Sequence, residues 1–148
     1  MILILHNIRS LHNVGSVFRS ADVFGAEKIY LTGYTGVPPR REISKTALGS
    51  ENVVPWESAV DVFSVLAELE HAGYELVGLE TGPDAVPIGV LCCDHPIALV
   101  LGNEVEGIES ELRARLKYLT AIPMPGHKRS LNVSVATGIA LFVLGCKA

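Results

Sequence analysis

A short apolar run, a helical repeat and a second apolar run open the chain, and they constrain its fold more than any other stretch. Ile2–Leu5 is long enough for a strand, and the polar loop His6-Asn7-Ile8-Arg9-Ser10 ends it. Val14, Val17, Phe18 and Ala21 then recur at i, i+3, i+4 and i+7, which lines one face of an amphipathic helix. Asn13 reads as its N-cap and Gly25 as its stop. Ile29-Tyr30-Leu31 follows as the next strand. Strand, helix and strand in that order predict parallel pairing, hence an α/β fold with a mostly parallel sheet flanked by helices.

The rest of the chain extends this pattern. A Gly/Pro loop over Gly33–Arg41 leads to an ambiguous segment, Thr46–Val54, read as a short helix and a short strand. Val62, Val65, Leu66 and Leu69 stripe a helix over Ser58–Ala72, and Gly73 stops it. Tyr74–Leu79 is a strand, Val86–Leu91 a partial turn, and Ile97–Leu101 a continuous apolar run of the kind a central parallel strand requires. Ile108–Leu116 reads as a short helix and Leu119–Ile122 as the last strand. Pro123, Pro125 and Gly126 then make a rigid loop, with Ser130 placed to cap a C-terminal helix. In that helix Leu131, Val135, Ile139 and Phe142 fall on one stripe, expected to pack on the core.

A chain of 148 residues suits a single domain with one core, 1–148. The longest apolar stretch, Val133–Leu144, is interrupted by Ser134, Thr137 and Gly138 and is too short to span a bilayer. The opening residues lack the basic segment and cleavage site of a signal peptide, so a cytoplasmic location is expected. Cys92, Cys93 and Cys146 form no CxxC pair, which points to reduced, buried thiols and no metal site. None of the five histidines shares a motif with another, and each reads as surface or capping.

Charge is unevenly spread along the sequence. Between Thr46 and Leu112 there are thirteen Asp and Glu and no Lys or Arg. The first 45 residues carry six basic groups against three acidic, and the last 36 carry six basic and no acidic. If the two ends meet, they form a cationic face on a protein of net charge −4, an electrostatic footprint for a polyanion. The plainer alternative is that these groups only solvate surface helices.

Three glycine-punctuated loops carry the remaining signal. One holds Asn13 and Arg19. A second, Gly102-Asn103-Glu104-Val105-Glu106-Gly107, lies just past the carboxyl end of the central strand, where open α/β sheets bind ligands. The third holds Ser130 and Asn132. No phosphate-cradling GxxxxGK[ST] and no GxGxxG occurs, and no Ser or Cys has a convincing His/Asp partner. Arg19 alternatively snorkels beside its helix's apolar face.

Asn13-x-Gly15-x-x-x-Arg19, Leu101-Gly102-Asn103-Glu104-x-x-Gly107 and Ile122-Pro123-Met124-x-Gly126-x-x-x-Ser130-Leu131-Asn132-Val133-Ser134 resemble, in order, the three motifs of the SpoU/TrmH family. That family belongs to the SPOUT superfamily of RNA 2'-O-ribose methyltransferases. The resemblance covers essentially the whole chain. It implies a SPOUT fold with a C-terminal deep trefoil knot, a rare exception to ordinary chain topology. It implies S-adenosylmethionine bound in the knot, mostly by backbone, at positions that fall on Leu79, Thr81, Gly102, Ile122, Ser130 and Leu131. It implies a homodimer with its site near the subunit boundary, and catalytic roles for Asn13, Arg19, Glu104 and Asn132.

Arg9, Arg40, Arg41, Lys128 and Arg129 are the candidates for RNA phosphate contacts. Relatives often carry a further RNA-binding domain, and no separate one is expected here. The short form resembles members acting on tRNA more than those acting on rRNA. The competing expectation is a non-catalytic module that binds RNA or assists ribosome assembly on the same fold; methylation of a small molecule is disfavoured by the charge clustered at both ends.

Overall fold

The computed structural model describes residues 1–146. Seven strands form one sheet: β1 (Ile2–His6), β2 (Lys28–Thr32), β3 (Trp56–Ala59), β4 (Glu75–Leu79), β5 (Val86–Pro87), β6 (Ile97–Leu101) and β7 (Tyr118–Ala121). Their spatial order is β3-β2-β1-β6-β4-β7-β5, and every pairing is parallel. The register aligns like with like. Leu3 sits between Ile29 and Leu99, and Leu5 between Leu31 and Leu101. Alternation along each strand then sends these side chains to one face and Ile2, Ile4, Tyr30, Leu76, Ala98 and Val100 to the other.

Helices cover both faces, which is why the central strands read as unbroken apolar runs. On the first face lie α1 (Leu11–Phe24), α2 (Arg41–Ala47) and α5 (Val133–Gly145); on the second lie α3 (Val62–His71) and α4 (Ser110–Arg113). Val14, Val17, Phe18 and Ala21 of α1 and Val62, Val65, Leu66 and Leu69 of α3 are buried, as their spacing requires. Gly25 ends α1 in the left-handed conformation at φ +67°. No helix among the described residues is long and apolar enough to cross a membrane.

Several expectations are corrected. The N-cap of α1 is Ser10, whose hydroxyl accepts from the Asn13 backbone N–H at 3.3 Å, leaving the Asn13 amide free for other partners. The helix starts earlier than the ambiguous segment, at Arg41, and ends at Ala47; a 3-10 turn at Ser50–Asn52 follows, with no strand between Thr46 and Val54. Trp56–Ala59 is an edge strand on β2, so α3 starts later, at Val62, capped by Asp61. Val86–Pro87 is paired with β7, and α4 is only one turn long. Cys92 and Cys146 are exposed and Cys93 is half-buried; burial and the neighbouring Glu75 carboxylate push the Cys93 thiol up to about 11.

The C-terminal helix departs most from expectation. Asn132, not Ser130, caps it, its Oδ1 accepting from the Ser134 N–H at 2.9 Å and the Ser134 hydroxyl at 2.6 Å. Its core face is Thr137, Ala140, Leu141 and Leu144, whereas Val135 and Phe142 are more than half exposed and Leu131 precedes the helix. A helix apolar nearly all round carries no periodicity that tells its buried face from the other.

Gly15 marks where α1 and α2 touch. A Cβ there would lie 2.1 Å from Thr46 Oγ1 and 2.2 Å from the Ile43 carbonyl oxygen. The second atom is backbone and cannot rotate away. Gly15→Ala should therefore destabilise the fold by roughly 1–3 kcal/mol despite the better helix propensity of alanine, read as a lower urea midpoint at unchanged slope.

Candidate active site

Because all strands run parallel, their carboxyl ends share one rim of the sheet. Beyond β4, β6 and β7 the loops enclose a cavity of about 270 Å³. Leu79, Thr81, Gly102, Ile122, Ser130 and Leu131 all line it, drawn from three segments far apart in sequence, together with Glu80, Glu104 and Arg129.

The 102–108 loop is folded tightly on itself. Asn103 and Gly107 exchange backbone hydrogen bonds at 3.1 and 2.9 Å, and Asn103 Oδ1 accepts from the N–H groups of Val105 and Glu106. A Cβ on Gly102 would lie 2.5 Å from the Gly107 carbonyl group, so no other residue fits. Gly107 adopts φ +71°, and Glu80 Oε2 packs where its Cβ would be. Glu80 also accepts from the N–H of Ile108 at 3.2 Å and of Thr81 at 2.7 Å, tying the loop after β4 to the loop after β6.

Glu104 ties the loops together. Its Oε2 accepts from the Arg9 N–H at 2.9 Å, and its Oε1 from the Ser10 N–H at 3.0 Å and the Asn13 side-chain amide at 3.0 Å. Asn13 Oδ1 in turn accepts from the Asn132 amide at 3.1 Å. Three of the four candidate catalytic residues thus form one hydrogen-bonded chain. Burial alone would raise the Glu104 pKa, but the N–H groups of Arg9, Ser10 and Asn13 outweigh it and hold the carboxyl below its ordinary value.

Arg19, the fourth, does not line the cavity. It is exposed on α1 in an adjoining groove, with Lys45 of α2 and Ser134, Val135, Ile139 and Phe142 of α5. Arg9, Arg40, Arg41 and Lys128 are exposed and form no ion pair among the described residues, and Arg129 reaches the cavity wall. By contrast Lys28, Arg115 and Lys117 are paired with Glu57, Glu70 and Glu75. Lys147 lies outside the described residues.

Sequence reasoning missed four residues of this rim. His6 is buried at the end of β1 rather than on the surface; desolvation lowers its pKa, with Glu109 opposing, and its Nδ1 lies 2.9 Å from Thr32 Oγ1. Asn7, Tyr34 and Glu80 complete the set, Asn7 at φ +54°. Each stands at or just past a strand's carboxyl end, and that position was the available signal.

The cavity suits S-adenosylmethionine by its donor set. Leu79, Leu101, Ile122 and Leu131 offer apolar walls for a purine, and the backbone amides of Ser130 and Leu131 are not hydrogen-bonded among the described residues. Glu80 and Glu104 favour a sulfonium charge.

A model described as the SpoU rRNA Methylase family matches residues 1–142. The chain belongs to that family. It is 33% identical over 142 residues to the 23S rRNA (guanosine-2'-O-)-methyltransferase RlmB of Xylella fastidiosa, covering 96% of this chain and 57% of that protein. An AdoMet-bound rRNA methyltransferase from Sinorhizobium meliloti superposes with a TM-score of 0.89 at 30% identity, over 96% of this chain and 54% of that one. A structure described as giving insights into "the 2-OH methylation of C/U34 on tRNA" has a TM-score of 0.83 at 25% identity, over 95% of this chain and 91% of that one. The chain spans little more than half the length of the curated SpoU relatives it matches.

The depressed Glu104 pKa has a sign that can be tested. A carboxylate held lower in the folded state than its ordinary 4.5 stabilises the fold above that pH, and the contribution disappears as pH falls through the folded value. Glu104→Gln should cost about 1 kcal/mol at neutral pH after allowance for solvent screening. It should also flatten the loss of stability below about pH 4.5, read from denaturation midpoints across pH.

Proposed function

We propose that this chain transfers a methyl group from S-adenosylmethionine to a ribose 2'-hydroxyl of RNA, with tRNA preferred over rRNA. The observation that carries the reading is the Glu104–Asn13–Asn132 chain of hydrogen bonds, which joins the three motif segments, with Glu104 on the cavity wall. When bound, S-adenosylmethionine supplies an electrophilic methyl on a sulfonium. Leu79, Thr81, Gly102, Ile122, Ser130 and Leu131 hold it, largely through backbone. A ribose hydroxyl is a poor nucleophile and needs in-line approach, so positioning supplies much of the acceleration. Asn13 and Asn132 orient the ribose, and Glu104 fixes them both.

Arg19 stabilises alkoxide charge as it develops, or orients an RNA phosphate that takes the proton. A guanidinium is too weak an acid to serve as a literal general base. Its place beside the cavity, not in it, fits a site completed across a homodimer. Phe24, Leu48, Val135 and Phe142 leave an apolar face exposed around Arg19, and the Phe24 and Phe142 rings meet at 6.1 Å. A second copy seated there buries that face and brings Arg19 to the subunit boundary.

A trefoil knot is part of the proposal. What supports it is that β7 lies between β4 and β5, both earlier in the chain, and that the segment after β7 shares one cavity with the loops after β4 and β6. Residues 1–148 act as one methyltransferase domain in the cytoplasm. Arg9, Arg40, Arg41, Lys128 and Arg129 contact phosphates. The preference for tRNA rests on the likeness to the tRNA-modification structure, which runs over 91% of that chain.

Protein given methyl-labelled S-adenosylmethionine should label unfractionated tRNA, and nucleoside mass spectrometry should find one 2'-O-methylnucleoside. Label entering only 23S rRNA would reverse the preference, and no calorimetric affinity for the methyl donor would leave a binding module. Arg19→Ala should lower the transfer rate at least 100-fold, on the scale of lost oxyanion-type stabilisation, with cofactor affinity within about twofold. Phe142→Glu, which would bury a charge in the proposed contact, should yield a folded monomer in sedimentation velocity while the parent protein sediments as a dimer.

A further inference from the structure

Tyr34 follows β2 on the same rim as the cavity, and its side chain is 60% exposed. An isolated exposed aromatic is ordinary. This one is fixed at both ends. Its backbone N–H donates to Asn7 Oδ1 at 3.1 Å, and its phenol oxygen accepts from the Asn103 side-chain amide at 2.8 Å. The Asn103 amide cannot be turned round, because its Oδ1 already accepts two backbone N–H groups. Neighbours in the loop are pinned too. Gly33 is left-handed at φ +64° with Asn7 Oδ1 filling the space of a Cβ, and the Thr35 hydroxyl bridges the Leu5 carbonyl and the Ile8 N–H.

The ring itself is unoccupied: it makes no aromatic or cation contact among the described residues. Its position is specific. Asn103 belongs to the cavity wall and is followed directly by Glu104. Arg40 and Arg41 close the loop that Tyr34 opens, and Arg9 donates its backbone N–H to Glu104; all three are exposed and without an ion pair among the described residues.

We propose that the Tyr34 ring is a stacking platform for an unpaired base of the RNA, next to the nucleotide whose ribose enters the site. This rests on the RNA-methylation reading and assigns a base-binding subsite to it. Three physical features support it. A π-face accepts any base, so the platform positions RNA without reading its sequence. A ring pinned at both ends loses little conformational freedom when a base stacks on it. The exposed guanidinium groups of Arg9, Arg40 and Arg41 on the flanking segments supply the phosphate attraction that brings a single-stranded loop to this rim.

The test compares Tyr34→Phe and Tyr34→Leu with the parent protein, each saturated with S-adenosylmethionine, using unfractionated tRNA and, separately, 23S rRNA as probes. Tyr34→Phe keeps the ring and loses the hydroxyl contact; Tyr34→Leu loses both. Stacking predicts that Tyr34→Leu weakens RNA binding about tenfold while Tyr34→Phe stays within about twofold. The salt dependence of binding should be unchanged in both, since no phosphate contact is removed. Cofactor affinity by calorimetry should be equal in all three proteins. Tyr34→Phe binding as weakly as Tyr34→Leu would make the residue a clamp on the Asn103 loop and overturn the proposal, as would Tyr34→Leu binding like the parent. Parent protein that takes S-adenosylmethionine but binds neither RNA would remove the RNA reading itself, and this subsite with it.

Discussion

One carboxylate joins the loops after β1 and β6 at the carboxyl rim of the sheet. Glu104 gathers two backbone N–H groups from the loop after β1 and one side-chain amide from the first turn of α1. Those donors come from residues more than ninety positions away in sequence. A carboxylate offers about four acceptor sites in a small space, which no neutral side chain matches. An acid at this point can therefore hold the loops after β1 and β6 together without a large apolar contact, and Asn13 passes the link on to Asn132. The glycines serve the same end: Gly102 and Gly107 let the loop pass close enough to itself for Glu104 to face outward to its donors.

Beneath the rim the sheet is rigid and simple. In-register rows such as Ile29–Leu3–Leu99 pack α1 and α5 on one side, and the alternate rows pack α3 on the other. That scaffold carries no chemistry. It delivers strand ends to one edge, so residues from the whole length of the chain meet above it. Of the basic residues clustered at the two chain ends, Arg9 and Arg129 stand at that edge, while Lys28, Arg115 and Lys117 are neutralised by nearby acids.

Much of this was legible from residues alone. The i, i+3, i+4, i+7 spacing placed the buried faces of α1 and α3, and the unbroken run Ile97–Leu101 identified the central strand. Less legible was whatever lacked a period. Trp56–Ala59 is a short edge strand, and nothing in four residues separates it from the start of the helix that follows. The faces of α5 were assigned the wrong way round, because a helix apolar on every side gives no contrast to read. In the site, the family resemblance, not spacing, named the six residues that line the cavity, yet Arg19 stands outside it, and the partners of Glu104 could not be foreseen. Asn7 and Tyr34 escaped notice, and His6 was read as surface or capping, because each is set by a contact across the rim.

Asn132 occupies two roles at once, as the cap of α5 and as the amide donated to Asn13. Its carbonyl end is committed to Ser134 and its nitrogen to the loop network, so neither can move without the other. A displacement of the helix along its own axis, or its removal from a neighbouring surface, would be transmitted as leverage on the amide. The terminal helix is in this sense a handle: whatever grips its outer side is mechanically connected, through the Asn132 side chain, to Asn13 and Glu104.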